Sequence, residues 1–442
     1  MSTYQQIQQL SSLTATIDDL LTDPKVAAWH SALLQEAKTS FSQIQQEATS
    51  AVQENLVERM MQQLADVERE IQVSLQAPLQ SLRRVADTNN IPEQQKAKLF
   101  IQLGQTYDII GQWNQALDIF YKALDFCEQN SAAKAETLKF LGHLKSKQRE
   151  YSAATRLYLD SLAIYTALNQ KHDIAHIYLC QGYNYFEQGN YQQAEDYYRL
   201  ALQLGSEQAD QQIIADGNNN LGIIATVRGN FDDAIAYYTR SVAAYESIDD
   251  IPGLSTAYHN LAMLQVDTAK WQEAGASYQT ALEYAQQAGN LELMGLIHLN
   301  RAELALKLYD FAMAEACCKH ALKVFGRLGS QTRIAEAYKF LGCAFSRQKK
   351  WDDARRLFQR SIEVNDSVNN QLGIAETRYE YGLMYLNKGN QDNAKQQLTQ
   401  SLEIFEELSA TADVEKVKAE LAKLSKEKEG KAKLKRISRI KR

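Results

Sequence analysis

Apolar residues return along this chain every three or four positions, as on one face of a helix, and small residues recur within that pattern at a fixed interval. Members of the first series lie 38 or 40 residues apart: Gly104, Gly142, Gly182, Gly222, Ala262, Ala302, Gly342 and Gly382. A second small residue follows twelve positions later each time: Ala116, Ala154, Ala194, Ala234, Ala274, Ala314, Ala354 and Ala394. The pattern predicts eight repeats, units 1 to 8, each formed by two antiparallel helices that cross where both side chains are small.

An aromatic residue opens the second helix of most units, and another stands near the middle of that helix. The opening residues are Trp113, Tyr151, Tyr191, Phe231, Trp271, Phe311 and Trp351, and the central ones are Phe120, Tyr158, Tyr198, Tyr238, Tyr278 and Phe358. We expect the central rings to fill the space between neighbouring units, so that the units must stack to bury them. The predicted fold is all-α: a right-handed superhelical solenoid of antiparallel helix pairs.

The last unit departs from this pattern, because Gln391 and Leu398 stand at its two aromatic positions. This weaker packing is typical of a terminal unit, and the stretch that follows predicts a capping helix. The apolar face of that helix would be Val414, Val417, Leu421 and Leu424. The predicted organisation is an N-terminal helical region at 1–90, the eight repeats at 91–408, the cap at 409–425 and a basic tail at 426–442.

Residues 1–90 do not repeat, but their pattern is helical. Asp23-Pro24 is a favourable helix start. Two apolar stripes follow, the first at Leu34, Ala37, Phe41, Ile44 and Ala48, the second at Leu56, Met60, Leu64, Val67, Ile71 and Leu75. Such stripes need a partner. Two alternatives remain open: a helical hairpin packed on the first repeat, or a coiled coil that joins copies of the chain into a homo-oligomer.

The composition supports long helices in a reducing compartment. Only 4 Pro residues interrupt 442 positions, and no apolar run approaches the roughly 18 residues of a membrane-spanning helix. The first residues lack a basic segment followed by an apolar core, so we expect no secretory signal. The 5 cysteines form no C-x-x-C pair, which indicates reduced thiols and a cytoplasmic location.

The net charge of −6 conceals a basic tail. Leu434, Ile437 and Ile440 recur there among cations, which predicts a basic amphipathic helix suited to an anionic membrane surface or an acidic protein. A disordered solubilising tail is the alternative. Nucleic acid is disfavoured as a partner, since the rest of the chain is acidic. The predicted contact residues of the tail are Lys433, Lys435, Arg436, Arg439, Lys441 and Arg442.

Two segments carry a family resemblance. Leu221-Gly222 with 231–235 (Phe-Asp-Asp-Ala-Ile), and Gly182 with 189–194 (Gly-Asn-Tyr-Gln-Gln-Ala), resemble the tetratricopeptide repeat family. The resemblance extends over about 92–408. The usual family unit has 34 residues and ends with Pro, whereas Glu128, Thr166, Ser206 and Glu246 stand at that place here. This long-unit form is similar to the repeats of kinesin light chains, spindle-orientation adaptors and bacterial peptide-sensing regulators.

The resemblance implies where a ligand would bind. In the family, the residue two positions before the small one faces a concave groove. Asn220, Asn260 and Asn300 stand there in three successive units, and a ladder of amides can hold the backbone of an extended peptide. The alternative is that each Asn bonds to a neighbouring helix. Other residues expected to face the groove are Tyr183, Asn219, His259 and Glu303.

The sequence points to binding and not to catalysis. No catalytic or nucleotide-binding motif is present, and His172 and His176 lack the further ligands of a metal site, so we expect no catalytic residue, metal or cofactor. The favoured function is an adaptor that binds a protein or peptide, in the sharper version a cytoskeleton-linked one, because the layout resembles kinesin light chains. The alternatives are a peptide-sensing regulator and a membrane-associated assembly factor acting through the tail.

Overall fold

The computed structural model describes residues 3–22, 34–35, 37–46, 75–87 and 91–424. Within these ranges the chain forms helices and turns and no strand, which confirms the all-α repeat solenoid. The chain divides into two compact bodies, Met1–Leu293 and Met294–Arg442, and each is described by itself.

Among its described residues, the first body has helices ahead of the repeats and the helix pairs of units 1 to 5. The leading helices are Thr3–Thr22, 37–46 and Gln76–Ala86. The pairs are Glu93–Ile109 with Trp113–Asp125, Ala132–Lys147 with Tyr151–Ala167, Lys171–Glu187 with Tyr191–Gln208, Gln211–Val227 with Phe231–Glu246, and Ile251–Asp267 with Trp271–Gln287.

The second body holds units 6 to 8 and one closing helix. Its pairs are Leu291–Lys307 with Phe311–Leu328, Gln331–Arg347 with Trp351–Ser367, and Gln371–Lys388 with Gln391–Glu407, and the closing helix is 411–424. The division between the bodies therefore falls within the first turn of unit 6.

In most units the small residue of the first helix lies against the central ring of the same unit. A Cβ atom added to Gly222 would lie 2.6 Å from the ring of Tyr238, and one added to Gly142 would lie 2.6 Å from Tyr158. The ring also reaches the next unit: Phe120 stacks on Phe140, and the two ring centroids lie 5.4 Å apart. The rings therefore contact the next unit, as predicted, and also press on the first helix of their own unit, where Gly142 and Gly222 leave the room for them.

A second pair of small residues ties the two helices of a unit together. The Oγ of Ser161 donates a hydrogen bond of 2.7 Å to the carbonyl of Ala135, and Ser241 does the same to Ala215 at 2.9 Å. In the second body Ser361 and Ser401 donate equivalent bonds of 2.7 Å to the carbonyls of Ala335 and Ala375. These serines are fully buried. The bonds hold two helices of one unit at a fixed separation.

The leading helices pack on unit 1 within the first body. Leu10, Leu13 and Ile17 are buried in one apolar cluster with Phe100 and Phe120. The first predicted stripe also contributes to this cluster through Leu34, Ala37, Phe41 and Ile44. Gln102 donates a hydrogen bond of 3.0 Å to the Oγ of Ser12. The described helices of this region thus pack on unit 1, and the choice between a hairpin and a homo-oligomeric coiled coil stays a prediction.

Several predictions concern residues outside the described ranges. These are the Asp23-Pro24 helix start, Ala48, the second stripe from Leu56 to Ile71, and the basic tail. Leu75, the last member of the second stripe, is described and is buried.

The closing helix covers unit 8 in the second body. Val414, Val417 and Leu424 are buried against Leu398 and Phe405 of that unit, with Leu421 partly buried beside them. The predicted cap is confirmed. Because Leu398 replaces the ring found elsewhere, Gly382 meets a branched aliphatic side chain, and an added Cβ would lie 2.7 Å from its Cγ.

Candidate partner-binding wall on the first helices

The first helices of successive units contact one another within each body. A helix turns by about 100° per residue. Four positions of each first helix therefore share a stripe that faces away from the second helices: one and five residues after the small residue, and two and six residues before it. In units 3 to 5 this stripe and its edge carry the surface that we name the amide wall. It consists of Tyr183, Asn219, Asn220, Val227, Asn260 and Met263.

The amides of the wall are linked across a unit boundary. The Nδ2 of Asn260 donates a hydrogen bond of 3.1 Å to the Oδ1 of Asn219. For Asn260 the structure therefore shows the alternative interpretation, a bond to a neighbouring helix. Asn220 lies beside this pair, partly exposed, and its amide makes no hydrogen bond with any residue in the described ranges. The wall thus combines one amide pair fixed in place with one amide available to a ligand.

Exposed apolar side chains flank the amides. Tyr183 is 43% exposed, Met263 is 44% exposed and Val227 is 49% exposed. The sequence prediction did not include Met263 and Val227, although the repeat spacing indicates both. Met263 stands two repeats after Tyr183, at the same position of its unit, and Val227 lies five residues after Gly222. Glu187 and Asp267 stand in units 3 and 5 at the position that Val227 occupies in unit 4, and both are exposed, so carboxylates border the wall.

His259 lies deeper than predicted. Its side chain is 8% exposed and its ring lies 6.1 Å from that of Tyr278, so it contacts the core of unit 5 and not the exposed surface. Burial lowers the pKa of His259 to about 4, and a hydrogen bond with Asn260 opposes this only in part. The imidazole is therefore neutral near pH 7 and supports the amide pair from beneath.

Asn300 and Glu303 belong to the second body. Asn300 is partly buried, and Glu303 pairs with Lys307 one turn later at 3.1 Å. Glu303 therefore already has a cation beside it. The three-residue ladder through Asn220, Asn260 and Asn300 stays a prediction.

Titratable groups border the wall on the side of the helix starts. Tyr245 donates a hydrogen bond of 2.5 Å to Asp216, and burial raises the pKa of that carboxyl against the effect of this bond and a second one from Gln212. Burial, aided by the charge of Lys139, lowers the pKa of His176 to about 4. Burial thus favours the neutral form of both side chains.

Two further observations concern the described ranges as a whole. They contain no group of three or more His, Cys, Asp or Glu side chains placed to bind a metal ion. No helix among them combines the length and the apolar character needed to cross a membrane.

Comparison with known proteins places this repeat in a wider context. A tetratricopeptide repeat model matches residues 173–247, 213–287, 293–367 and 347–407, together more than half of the chain. The Arabidopsis thaliana protein KINESIN LIGHT CHAIN-RELATED 2 is 20% identical over 300 residues, which cover 66% of this chain and 40% of the plant protein. The chain thus spans about two fifths of that relative.

Two other proteins are similar in sequence or in fold. The photosystem I assembly protein Ycf3 of Rippkaea orientalis is 32% identical over 127 residues, which cover 27% of this chain and 68% of that protein. The apo form of the quorum sensor NprR from B. thuringiensis is 17% identical, with a TM-score of 0.52, over 79% of this chain and 97% of the other. The likeness to NprR is one of fold.

Proposed function

This chain belongs to the tetratricopeptide repeat family, and we propose that it is a scaffold whose amide wall binds an extended segment of a partner protein or peptide. The observation that carries the proposal is the hydrogen bond between Asn219 and Asn260, which joins units 4 and 5. Beside it lies Asn220, whose side-chain amide makes no hydrogen bond with any residue in the described ranges. Amides bond to the backbone of any sequence, so they would fix the position of a peptide and leave its selection to other residues.

The apolar members of the wall would supply that selection. Tyr183 and Met263 stand on either side of the amides and are each more than two fifths exposed. An aromatic ring and a flexible thioether both offer contact area to apolar side chains of a ligand. Because the exposed side chains that flank the amides are apolar, the proposed ligand is a segment with apolar side chains.

Selection of random displayed peptides on the full chain tests the proposal. Selected peptides are then measured against two double variants, Asn220→Ala/Asn260→Ala and Tyr183→Ala/Met263→Ala. We expect each double variant to weaken binding at least about tenfold, because it removes two hydrogen bonds or two buried contacts.

A matched control removes equally exposed residues from second helices. Tyr121 is 48% exposed and Leu200 is 42% exposed, so Tyr121→Ala/Leu200→Ala deletes the same kinds of side chain away from the wall. This variant should bind the selected peptides as the wild type does. Equal binding by all three variants, or a library that yields no peptide, would show that the wall is not the site.

We also propose the narrower function of a cytoskeleton-linked adaptor. Its support is the similarity to the kinesin light chain-related protein, which extends over two thirds of this chain. Co-sedimentation of the full chain with polymerised tubulin, alone and with a kinesin heavy chain, tests this version. Failure to sediment in both mixtures would remove the cytoskeletal link and leave the scaffold proposal intact.

A further inference from the structure

A cleft of about 500 Å³ lies in the second body, between the second helix of unit 7 and both helices of unit 8. Arg378 lines it together with Tyr381, Tyr385, Gln359, Gln396 and Gln397. A volume of this size is typical of sites that hold small organic molecules.

The guanidinium of Arg378 is partly buried and has no carboxylate partner in the described ranges. Its Nη1 donates to the side-chain oxygens of Gln397 at 2.9 Å and Gln400 at 2.6 Å. Its Nη2 and Nε make no hydrogen bond with any described residue. These two nitrogens form the edge of a guanidinium that can donate two parallel hydrogen bonds to a carboxylate or a phosphate. Burial lowers the pKa of Arg378, and no neighbouring charge opposes that effect.

Packing alone does not account for an arginine at this position. The equivalent residues of units 1 to 7, four before the small residue, are Phe100, Leu138, Tyr178, Asn218, Tyr258, His298 and Tyr338, none of which carries a fixed charge. Removing a cation partly from water without a counter-charge is unfavourable for the fold. A bound anion would compensate for it.

Other groups in the cleft can also donate hydrogen bonds. The hydroxyls of Tyr381 and Tyr385 lie 2.9 Å apart, so one donates to the other and one hydroxyl proton remains for a ligand. The amides of Gln359 and Gln396 add neutral donors. Glu363 is the one carboxylate among the lining residues, and it is paired with Arg360 at 3.1 Å on its own helix.

We infer that the cleft between units 7 and 8 binds a small organic oxyanion, a carboxylate or a phosphate monoester, anchored by two parallel hydrogen bonds from Arg378. The aromatic rings of Tyr381 and Tyr385 would contact the organic part of the ligand. This site is separate from the amide wall, so it adds a second ligand of different chemistry to the proposed scaffold.

Calorimetric titration of the full chain with benzoate, phenyl phosphate and the neutral analogue benzamide tests the inference. We expect one equivalent of at least one oxyanion to bind, and no binding of benzamide. Whichever of benzoate and phenyl phosphate binds with the lower dissociation constant shows whether the site prefers a carboxylate or a phosphate. Arg378→Gln should weaken that binding at least about tenfold. Arg378→Lys keeps the charge but cannot donate two parallel hydrogen bonds, so its dissociation constant should lie between those of the wild type and Arg378→Gln.

Arg356→Gln is the matched control. Arg356 lies on the second helix of unit 7, is 73% exposed and pairs with Asp353, so the variant changes the net charge equally outside the cleft. It should bind as the wild type does. Tyr385→Phe provides a milder second variant and should weaken binding by about threefold or more. Absence of oxyanion binding to the wild type, or equal binding by Arg378→Gln and wild type, would overturn the inference.

Discussion

Units 4 and 6 occupy equivalent places in the repeat but fill the space between their two helices with different residues. In unit 4, Gly222 lies against the ring of Tyr238. In unit 6, Ala302 and Cys318 stand at the same two positions and share one apolar cluster. In unit 6 the first helix gains a methyl group and the second helix loses a ring, whereas unit 5 combines Ala262 with the ring of Tyr278. The repeat therefore tolerates different pairs of residues at these two positions.

The same exchange occurs at a second pair of positions. Unit 4 has the polar contact between Asp216 and Tyr245, whereas unit 6 has Leu296 and Phe325, which share an apolar cluster. Phe325 also presses on Gly295, where an added Cβ would lie 2.6 Å from the ring. The two members of each pair change together because a buried donor, acceptor or ring is stable only beside a matching partner.

The largest expected effect follows from overfilling unit 4. Gly222→Leu places a side chain where the ring of Tyr238 already lies, and we expect the free energy of unfolding to fall by about 3 kcal/mol. Gly275→Leu is the control, since no atom lies within 4 Å of a Cβ added at Gly275. Urea unfolding followed by circular dichroism measures both. Equal losses in the two variants would contradict the packing account.

The polar pair of unit 4 gives the next largest effect. Tyr245→Phe removes the shorter of the hydrogen bonds to the Asp216 carboxyl, leaving those from Gln212, and should cost about 1.5–3 kcal/mol at pH 7. Asp216→Leu/Tyr245→Phe reproduces the pair of unit 6 and should be at least as stable as the wild type at that pH. Urea unfolding of the two variants makes the comparison.

The double variant should also show a defined pH dependence. Because the pKa of Asp216 is raised in the fold, its contribution to stability is present below the ordinary carboxyl pKa and is lost as the pH rises through the raised value. The advantage of Asp216→Leu/Tyr245→Phe over the wild type should therefore be larger at pH 7 than at pH 4. An advantage that grows on acidification would contradict the assignment.

A double-mutant cycle tests whether the residues at these two positions are coupled. Gly222→Ala and Tyr238→Cys each disturb unit 4, but together they reproduce the pair Ala302 and Cys318 of unit 6. We expect the double variant to lose less stability than the sum of the single variants, with a coupling of roughly 1 kcal/mol. Strict additivity in urea unfolding would show that the two residues act independently.

The smallest expected effect concerns the buried serine. Ser241→Ala removes the hydrogen bond to the carbonyl of Ala215 and should cost about 0.5–1.5 kcal/mol. Unit 6 has Ala321 at this position, so Ala321→Ser is the reciprocal variant. Hydrogen exchange of the amides in each unit localises the change. The comparison between units would lose its basis if Ser241→Ala had no effect.

Much of the fold could be predicted because the repeat is a local pattern. The interval between the small residues, together with the helical spacing of apolar residues, determines eight helix pairs, and Leu398 marks the last unit. The buried contact between the serines and the first helices was missed because its second-helix member is Ser in some units and Ala in others, as in Ser161 and Ala201. It was nevertheless readable, since these residues return every 40 positions.

The candidate sites depended more on tertiary structure. Sequence alone determined which residues share the exposed stripe of the first helices, because the angle per residue is the same in every α-helix. Only the packed structure decided that Asn260 bonds to Asn219, that His259 is buried, and that Arg378 lines a cleft without a carboxylate partner in the described ranges. The physical reason is that burial and hydrogen bonding are set by side chains from three or more helices, whose approach to one another no single repeat specifies.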